Sequence, residues 1–248
     1  MVIANHPPIS SYLDYFWGRV LTSKARNILL ISEPQFFIKQ GDKMDDRAYV
    51  RSLGANLALG ASSLPPVRFT PQLTTPSTMP NLQAMPGTNI IVLGNPRINS
   101  VFEEQQGMMS PRPVLHVTRS RIQNRQTGVV YEDRHSENAE EQTTETETYG
   151  LFTHHAAEDN SHVVILIGGN HGRAIQNVCQ AVTDLETLRL LCERVSTAKN
   201  RLAKYFQILF KITVTTIGLN GMKVRWTIED TIVYPEKTSR PMSKGTEP

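Results

Sequence analysis

The chain has 248 residues, 39% apolar and 20% charged, with a formal net charge of +3. This length allows one large domain or two small ones, and the composition is that of a globular chain with enough apolar side chains for a core, not of a disordered polyelectrolyte. No concentrated basic stripe is present, so direct nucleic-acid binding is not expected, and the arginines at 119, 121, 125 and 134 read as solvated faces.

Residues 1–8, ending in Pro7-Pro8, read as a lead-in. Tyr12-Leu-Asp-Tyr-Phe-Trp17 has apolar residues at helical spacing before Gly18. Asn27-Ile-Leu-Leu-Ile-Ser-Glu33 is a first buried strand, left through Pro34. Asp45 is placed to cap a helix carrying Ala48, Tyr49, Leu53, Leu57 and Leu59 and closed by Gly60. The proline- and threonine-rich stretch 61–88 accommodates a short strand at Val67-Arg-Phe69 and a short helix over 80–85.

Asn89-Ile-Ile-Val-Leu-Gly94 is an unbroken apolar run ending at glycine, as in a central parallel strand, and a helix through Val101 and Phe102 follows. Alternation predicts strands at 114–118 and 127–131. Residues 132–148 are acidic and threonine-rich with almost no apolar side chain, and predict a mobile loop. Tyr149–His154 is a further strand, and His162–Gly169 a second apolar run into a glycine turn. A helical region from Arg173 to about Lys199 breaks at Thr183-Asp184. Phe206–Ile217 and Met222–Tyr234 alternate around Asn220-Gly221 and predict a long antiparallel hairpin.

Strands alternating with helices lead to a single α/β domain over 1–235, a Rossmann-like doubly wound, mainly parallel sheet with a C-terminal antiparallel β-hairpin. Residues 236–248 are expected to form a disordered tail. No apolar run approaches the roughly 20 residues of a membrane helix, and no signal-peptide pattern is visible. Cys179 and Cys192 lack metal-knuckle or redox spacing and read as buried helical hydrophobes, which makes a cytoplasmic protein the expectation.

In open α/β sheets ligands sit beyond the carboxyl ends of the strands. Gly168-Gly-Asn-His-Gly-Arg173 is therefore the leading candidate site: glycines permit close approach, a helix N-terminus offers free N–H groups, Arg173 adds charge, and His171 offers a hydrogen bond or acid–base function. The glycine spacing matches neither a dinucleotide fingerprint nor a Walker loop. Gly94-Asn-Pro-Arg-Ile-Asn99 is the matching turn, with Asn95 able to cap, Pro96 suited to a first helical turn, and Arg97 and Asn99 near the same rim. If the three strands are neighbours, Glu33, Arg97, Asn99, Asn170 and His171 converge. His154, His155, His162 and His171 lack metal-ligand spacing, and no metal site is assigned. No Gly-x-Ser-x-Gly elbow is present.

The order of Tyr15-Phe-Trp17, Ile28-Leu-Leu-Ile-Ser-Glu-Pro34, Ile91–Asn99, Tyr149-Gly-Leu151, Gly168–Arg173 and Phe206-Gln-Ile-Leu209 resembles an uncharacterised bacterial α/β sensor-like regulatory domain, found alone or beside winged-helix DNA-binding segments. The resemblance implies a ligand-sensing or conflict-response module. No DNA-binding helix pair is evident at either end, so a transcription-factor role does not carry over. The leading reading is a non-catalytic sensor that takes a nucleotide or other anionic small molecule at the two turns, its cofactor unassigned. The alternatives are an enzyme acting on a nucleotide or related phosphate or glycosidic compound, with Glu33 and His171 as proton carriers, and a homodimeric interaction module paired through the hairpin.

Overall fold

A computed structural model describes residues 10–21, 27–31, 56–65, 87–119, 121–138, 143–197, 201–217 and 221–234. Asp45, Glu33, the strand expected at 67–69, the helix expected at 80–85 and the tail 236–248 lie outside them. The elements are α1 (Ser10–Leu21), β1 (Asn27–Ile31), α2 (56–63), β2 (Asn89–Leu93), α3 (Ser100–Met108), β3 (Leu115–Val117), β4 (Ile122–Asn124), β5 (Val130–Tyr131), β6 (Arg134–Asn138), β7 (Thr143–Ala156), β8 (Val163–Gly169), α4 (Gly172–Ala181), α5 (Leu185–Val195), β9 (Tyr205–Ile217) and β10 (Gly221–Val233). Helix α2 runs through Gly60 rather than ending there.

The expected doubly wound, mainly parallel sheet is not the fold. The main sheet is mixed, in the order β1-β2-β8-β7-β9-β10, and strand residues outnumber helical ones. Only β1, β2 and β8 are parallel, whereas β7 is antiparallel to β8, to β9 and to β6. The connection from β7 to β8 spans only residues 157–162, too short for a crossover helix.

The expected mobile loop at 132–148 is the source of the difference. Most of it is strand: β6 and the first half of β7 pair along Arg134↔Glu147 to Asn138↔Thr143. Thr143-Thr-Glu-Thr-Glu-Thr148 has no apolar residue, but β-branched threonine favours the extended backbone, and Glu145 and Glu147 share one half-exposed face while Thr146 and Thr148 lie beside Val214 and Ile212. β4 is a second departure. It lies between β3 and β5, so the two strands expected at 114–118 and 127–131 each pair with Ile122–Asn124 and not with one another.

Alternation along the central strands divides the core into two layers. Leu29, Ile91, Leu93, Ile165, Ile167 and Phe152 face α1, α2, α4 and α5. Ile28, Ile90, Val92, Val164, Leu166 and Leu151 face α3 and the small sheet β3-β4-β5. On the helical side Phe16, Trp17, Phe152 and Phe206 pack ring on ring, and the Trp17 indole donates to the Val182 carbonyl at 2.8 Å. Cys179 and Cys192 are buried in that layer as free thiols.

On the other side two buried glutamines dock the small sheet. The Gln106 amide bonds both N–H and C=O of Val117 at 2.8 and 3.0 Å, and Gln207 does the same for Leu115 at 2.9 and 2.7 Å. Each side chain thus substitutes for a missing strand on the edge of β3 that β4 does not occupy, satisfying backbone groups that burial would otherwise leave unpaired.

The hairpin β9–β10 is antiparallel with a bulge between Ile228 and Asp230. Val224, Trp226 and Ile228 pack on the helical layer, where Trp226 Nε1 donates to Thr187 Oγ1 at 3.1 Å. Beyond the bulge Ile232 and Tyr234 pack on the other layer, with Tyr234 stacked on Tyr205 at 4.0 Å.

Layer closeness depends on missing side chains. A Cβ on Gly168 would lie 2.6 Å from Phe102 Cζ, and one on Gly150 would lie 2.3 Å from Val178 Cγ2. Gly168→Ala should therefore destabilise the fold by about 1–3 kcal/mol through overpacking. Urea unfolding of Gly168→Ala in wild-type and Phe102→Leu backgrounds checks this, because the smaller ring-free side chain should absorb much of the added methyl's penalty.

Candidate functional site

Strands β1, β2 and β8 are adjacent and parallel, so the β2–α3 and β8–α4 turns leave the same edge of the sheet. The first turn is largely committed to structure. Gly94 holds φ +149 and donates to the Ile167 carbonyl at 3.1 Å. Asn95 is fully buried; its Nδ2 donates to the Gly169 carbonyl at 3.3 Å and its Oδ1 accepts from Arg97 N at 3.1 Å. Asn99 caps α3, accepting from Val101 and Phe102 N–H at 3.1 and 3.3 Å. Of this turn only the Arg97 side chain is exposed to solvent as a charge.

The glycines of the second turn also serve packing. Gly168 makes room for Phe102, and Gly169 for Ala174, whose Cβ would be 2.9 Å from an added methyl. Gly172 is the buried first residue of α4, and Arg173 beside it is exposed. His171 is the N-cap residue, extended at φ −153 and ψ 175, and makes no capping bond with its side chain. Its imidazole is therefore available for other chemistry.

That chemistry is set by a gap in the sheet. β6 and β8 lie end to end along one edge of β7, because β9 fills the other edge throughout. Thr148 and Tyr149 fall between the last β6 pair, Arg134↔Glu147, and the first β8 pair, Gly150↔Gly169. Asp133, just before β6, and Asn170, just after β8, fill the gap. Asn170 N donates to the Tyr149 carbonyl at 3.1 Å, and its Nδ2 donates to Asp133 Oδ1 at 2.9 Å and to the Tyr131 carbonyl at 3.3 Å. Thr148 Oγ1 donates to the same Asp133 Oδ1 at 2.7 Å. Asp133 Oδ2 is left for His171 Nε2, 3.5 Å away, with the two side chains 28% and 25% exposed. Asn170 Oδ1 is buried and accepts no hydrogen bond from any described residue.

Burial lowers the His171 pKa from its ordinary value; the Asp133 carboxylate opposes this, and Arg173 and His135 add to it. The site thus holds a half-buried imidazole oriented by a carboxylate at the positive end of a helix. Beside it the Tyr131 and Tyr149 rings lie 5.3 Å apart, and Lys211 forms an ion pair with Glu147. Burial raises the pKa of both tyrosines.

Of the residues expected at the site, the structure brings together Asn170, His171, Gly172 and Arg173, with Arg97 on the same edge. Gly94, Asn95, Asn99, Gly168 and Gly169 are structural, and Glu33 lies outside the described residues. Asp133, Thr148, Tyr131 and Tyr149 were not foreseen. Their signal in the sequence is the Thr/Glu alternation before Tyr149, which marks a strand running up to the site. His154 and His155 point to opposite faces, His154 stacking on Phe206 at 4.8 Å and His155 Nε2 lying 3.0 Å from the Ser110 carbonyl.

No family model, curated protein or solved structure matches the chain. The likeness to a bacterial sensor domain accordingly rests on the motifs alone. No described helix is long and apolar enough to cross a membrane.

Two histidines give the fold an acid-side pH dependence. Burial, assisted by Arg125, lowers His116 to about 4, and burial lowers His171 as well. A base whose folded pKa is depressed takes up its proton more readily when unfolded. Its stability contribution is complete above the unfolded value of about 6.5 and is lost as pH falls towards the folded value. Histidine C–H NMR titration should place His171 below its ordinary value in the wild type and lower still in Asp133→Asn, which removes the one group holding it up.

Proposed function

We propose that this chain binds a small molecule carrying both hydroxyl groups and an anionic group, such as a nucleotide or sugar phosphate, at the β8–α4 turn. The observation that carries this reading is Asn170 Oδ1, a buried acceptor without a donor, next to the half-buried Asp133–His171 pair at the start of α4. Two acceptors side by side suit ligand hydroxyls, while the N-terminal amides of α4, His171, Arg173 and Arg97 suit the anion. Asp133 argues against a bare anion seated directly on His171, since its carboxylate would repel one. Two free, buried cysteines fit the cytoplasm as the compartment in which the chain works.

The test is equilibrium dialysis and thermal-shift measurement with ATP, AMP, ribose 5-phosphate and inorganic phosphate. Ribose phosphates should stabilise the protein more than phosphate does. Asp133→Ala should weaken them by about 10–100-fold, the loss of one or two charged hydrogen bonds. A ligand phosphate held near His171 by the α4 amides and Arg173 favours the charged imidazole, so affinity should rise as pH falls through the ordinary histidine value towards the lowered His171 value. Equal affinity in wild type, Asp133→Ala and His171→Gln would reject the site.

A second reading is favoured by the Asp133–His171 geometry. An imidazole kept neutral by burial and aligned by a carboxylate is a competent general base, so turnover of the bound compound is the enzymatic form of the same site. Turnover abolished in His171→Gln, with binding retained, would select it over a sensor.

A further inference from the structure

We propose that a second copy of this chain pairs along β10, making one sheet continuous across a two-fold axis centred on Thr227. β10 ends the strand order of the main sheet, so its outer edge is bonded to no described strand. It is 13 residues long, against five for β1 at the opposite edge, and long unpaired edges are templates for strand addition.

Its charges choose the partner. Lys223 and Arg225 lie in the first half of the strand and Glu229 and Asp230 in the second. Arg225 pairs across to Thr213 and Lys223 to Thr215, on the face that also bears Lys211 and Glu147. Glu229 is the extra residue of the bulge, between Ile228 on the helical face and Asp230, which pairs with Leu209 on the face of Lys211. Lys223, Arg225, Thr227 and Glu229 are all exposed, and none of the four charged or polar side chains forms an ion pair within the described chain.

A strand basic at one end and acidic at the other is complementary to itself when antiparallel. With Thr227 opposite its own copy, Arg225 faces the partner's Glu229 and the reverse contact repeats by symmetry, giving two opposite-charge cross-strand pairs. Regular pairing is confined to residues 225–229, because Met222 and Val224 share the face of the helical layer whereas Asp230 and Ile232, beyond the bulge, lie on the other. A register centred on Lys223, Val224 or Arg225 would set like charges together, and one centred on Trp226 would match Lys223 with Glu229 but leave Arg225 opposite Thr227, so the Thr227 register is the one that pairs Arg225 with Glu229.

Native mass spectrometry and analytical ultracentrifugation of the full chain give the test. The wild type should be dimeric at micromolar concentration. Arg225→Glu and Glu229→Arg should each weaken the dimer by about tenfold or more, and the double variant should recover most of the loss. Both positions are exposed, and unchanged far-UV circular dichroism confirms that each variant folds. A wild type that stays monomeric, single variants that dimerise like wild type, or a double variant no better than either single one would each overturn the proposal.

Discussion

Hydrogen bonding along both edges of β7 is the constraint on which the rest of the molecule depends. This strand of 14 residues pairs with β9 over nearly its whole length on one edge and with β6 and then β8 on the other. The first half carries Glu145 and Glu147 on a half-exposed face and turns its other face, beside Val214 and Ile212, towards the helical layer; the second half is buried between two layers. Two partners sharing one edge must leave a discontinuity between them, and backbone groups there still require partners. Asn170 supplies one through its N–H to the Tyr149 carbonyl, and Asp133 holds the Asn170 and Thr148 side chains beside it. The polar cluster that gives His171 its carboxylate is thus a consequence of sheet architecture before it is a device for recognition. One atom, Asn170 Oδ1, remains unused by that architecture, and for this reason the ligand proposal rests on it.

Much of the frame was legible from residues. Unbroken apolar runs marked β2 and β8 as central, and alternation marked both hairpin strands, although Gly221 of the expected turn begins β10 and Asn220 lies outside the described residues. Asp184 marked the break at which it now caps α5, accepting from Thr187 N at 2.9 Å. The adjacency of β1, β2 and β8 was the condition for the two turns to converge, and the structure meets it. What hydrophobic patterning could not show was a strand without hydrophobic residues. Glu145 and Glu147 alternate with Thr144, Thr146 and Thr148, and only the β-branched side chains signal an extended backbone there. Reading that segment as a loop removed the antiparallel centre of the sheet and turned the remainder into a parallel fold.

The same omission hid the site. Glycine-rich turns suggested close approach of a ligand, yet the spaces at Gly168 and Gly169 are filled by Phe102 and Ala174. Asn95 and Asn99 likewise satisfy the chain's own backbone. The groups left for chemistry come from where the acidic segment meets the β8–α4 turn, a long-range contact between Asp133 and His171 that local spacing does not encode.

The bulge in β10 has a mechanical consequence. By reversing which side of the strand faces which layer, it lets one continuous segment grip α5 through Trp226 and the small sheet through Tyr234, whose hydroxyl also reaches Gln207 at 2.9 Å and Val114 N at 2.6 Å. Neither layer can lift from the main sheet without pulling on the same thirteen-residue strap. The two hydrophobic clusters, separate in their contacts, are thereby tied into one cooperative unit of unfolding, with the outermost strand as the member that both must release.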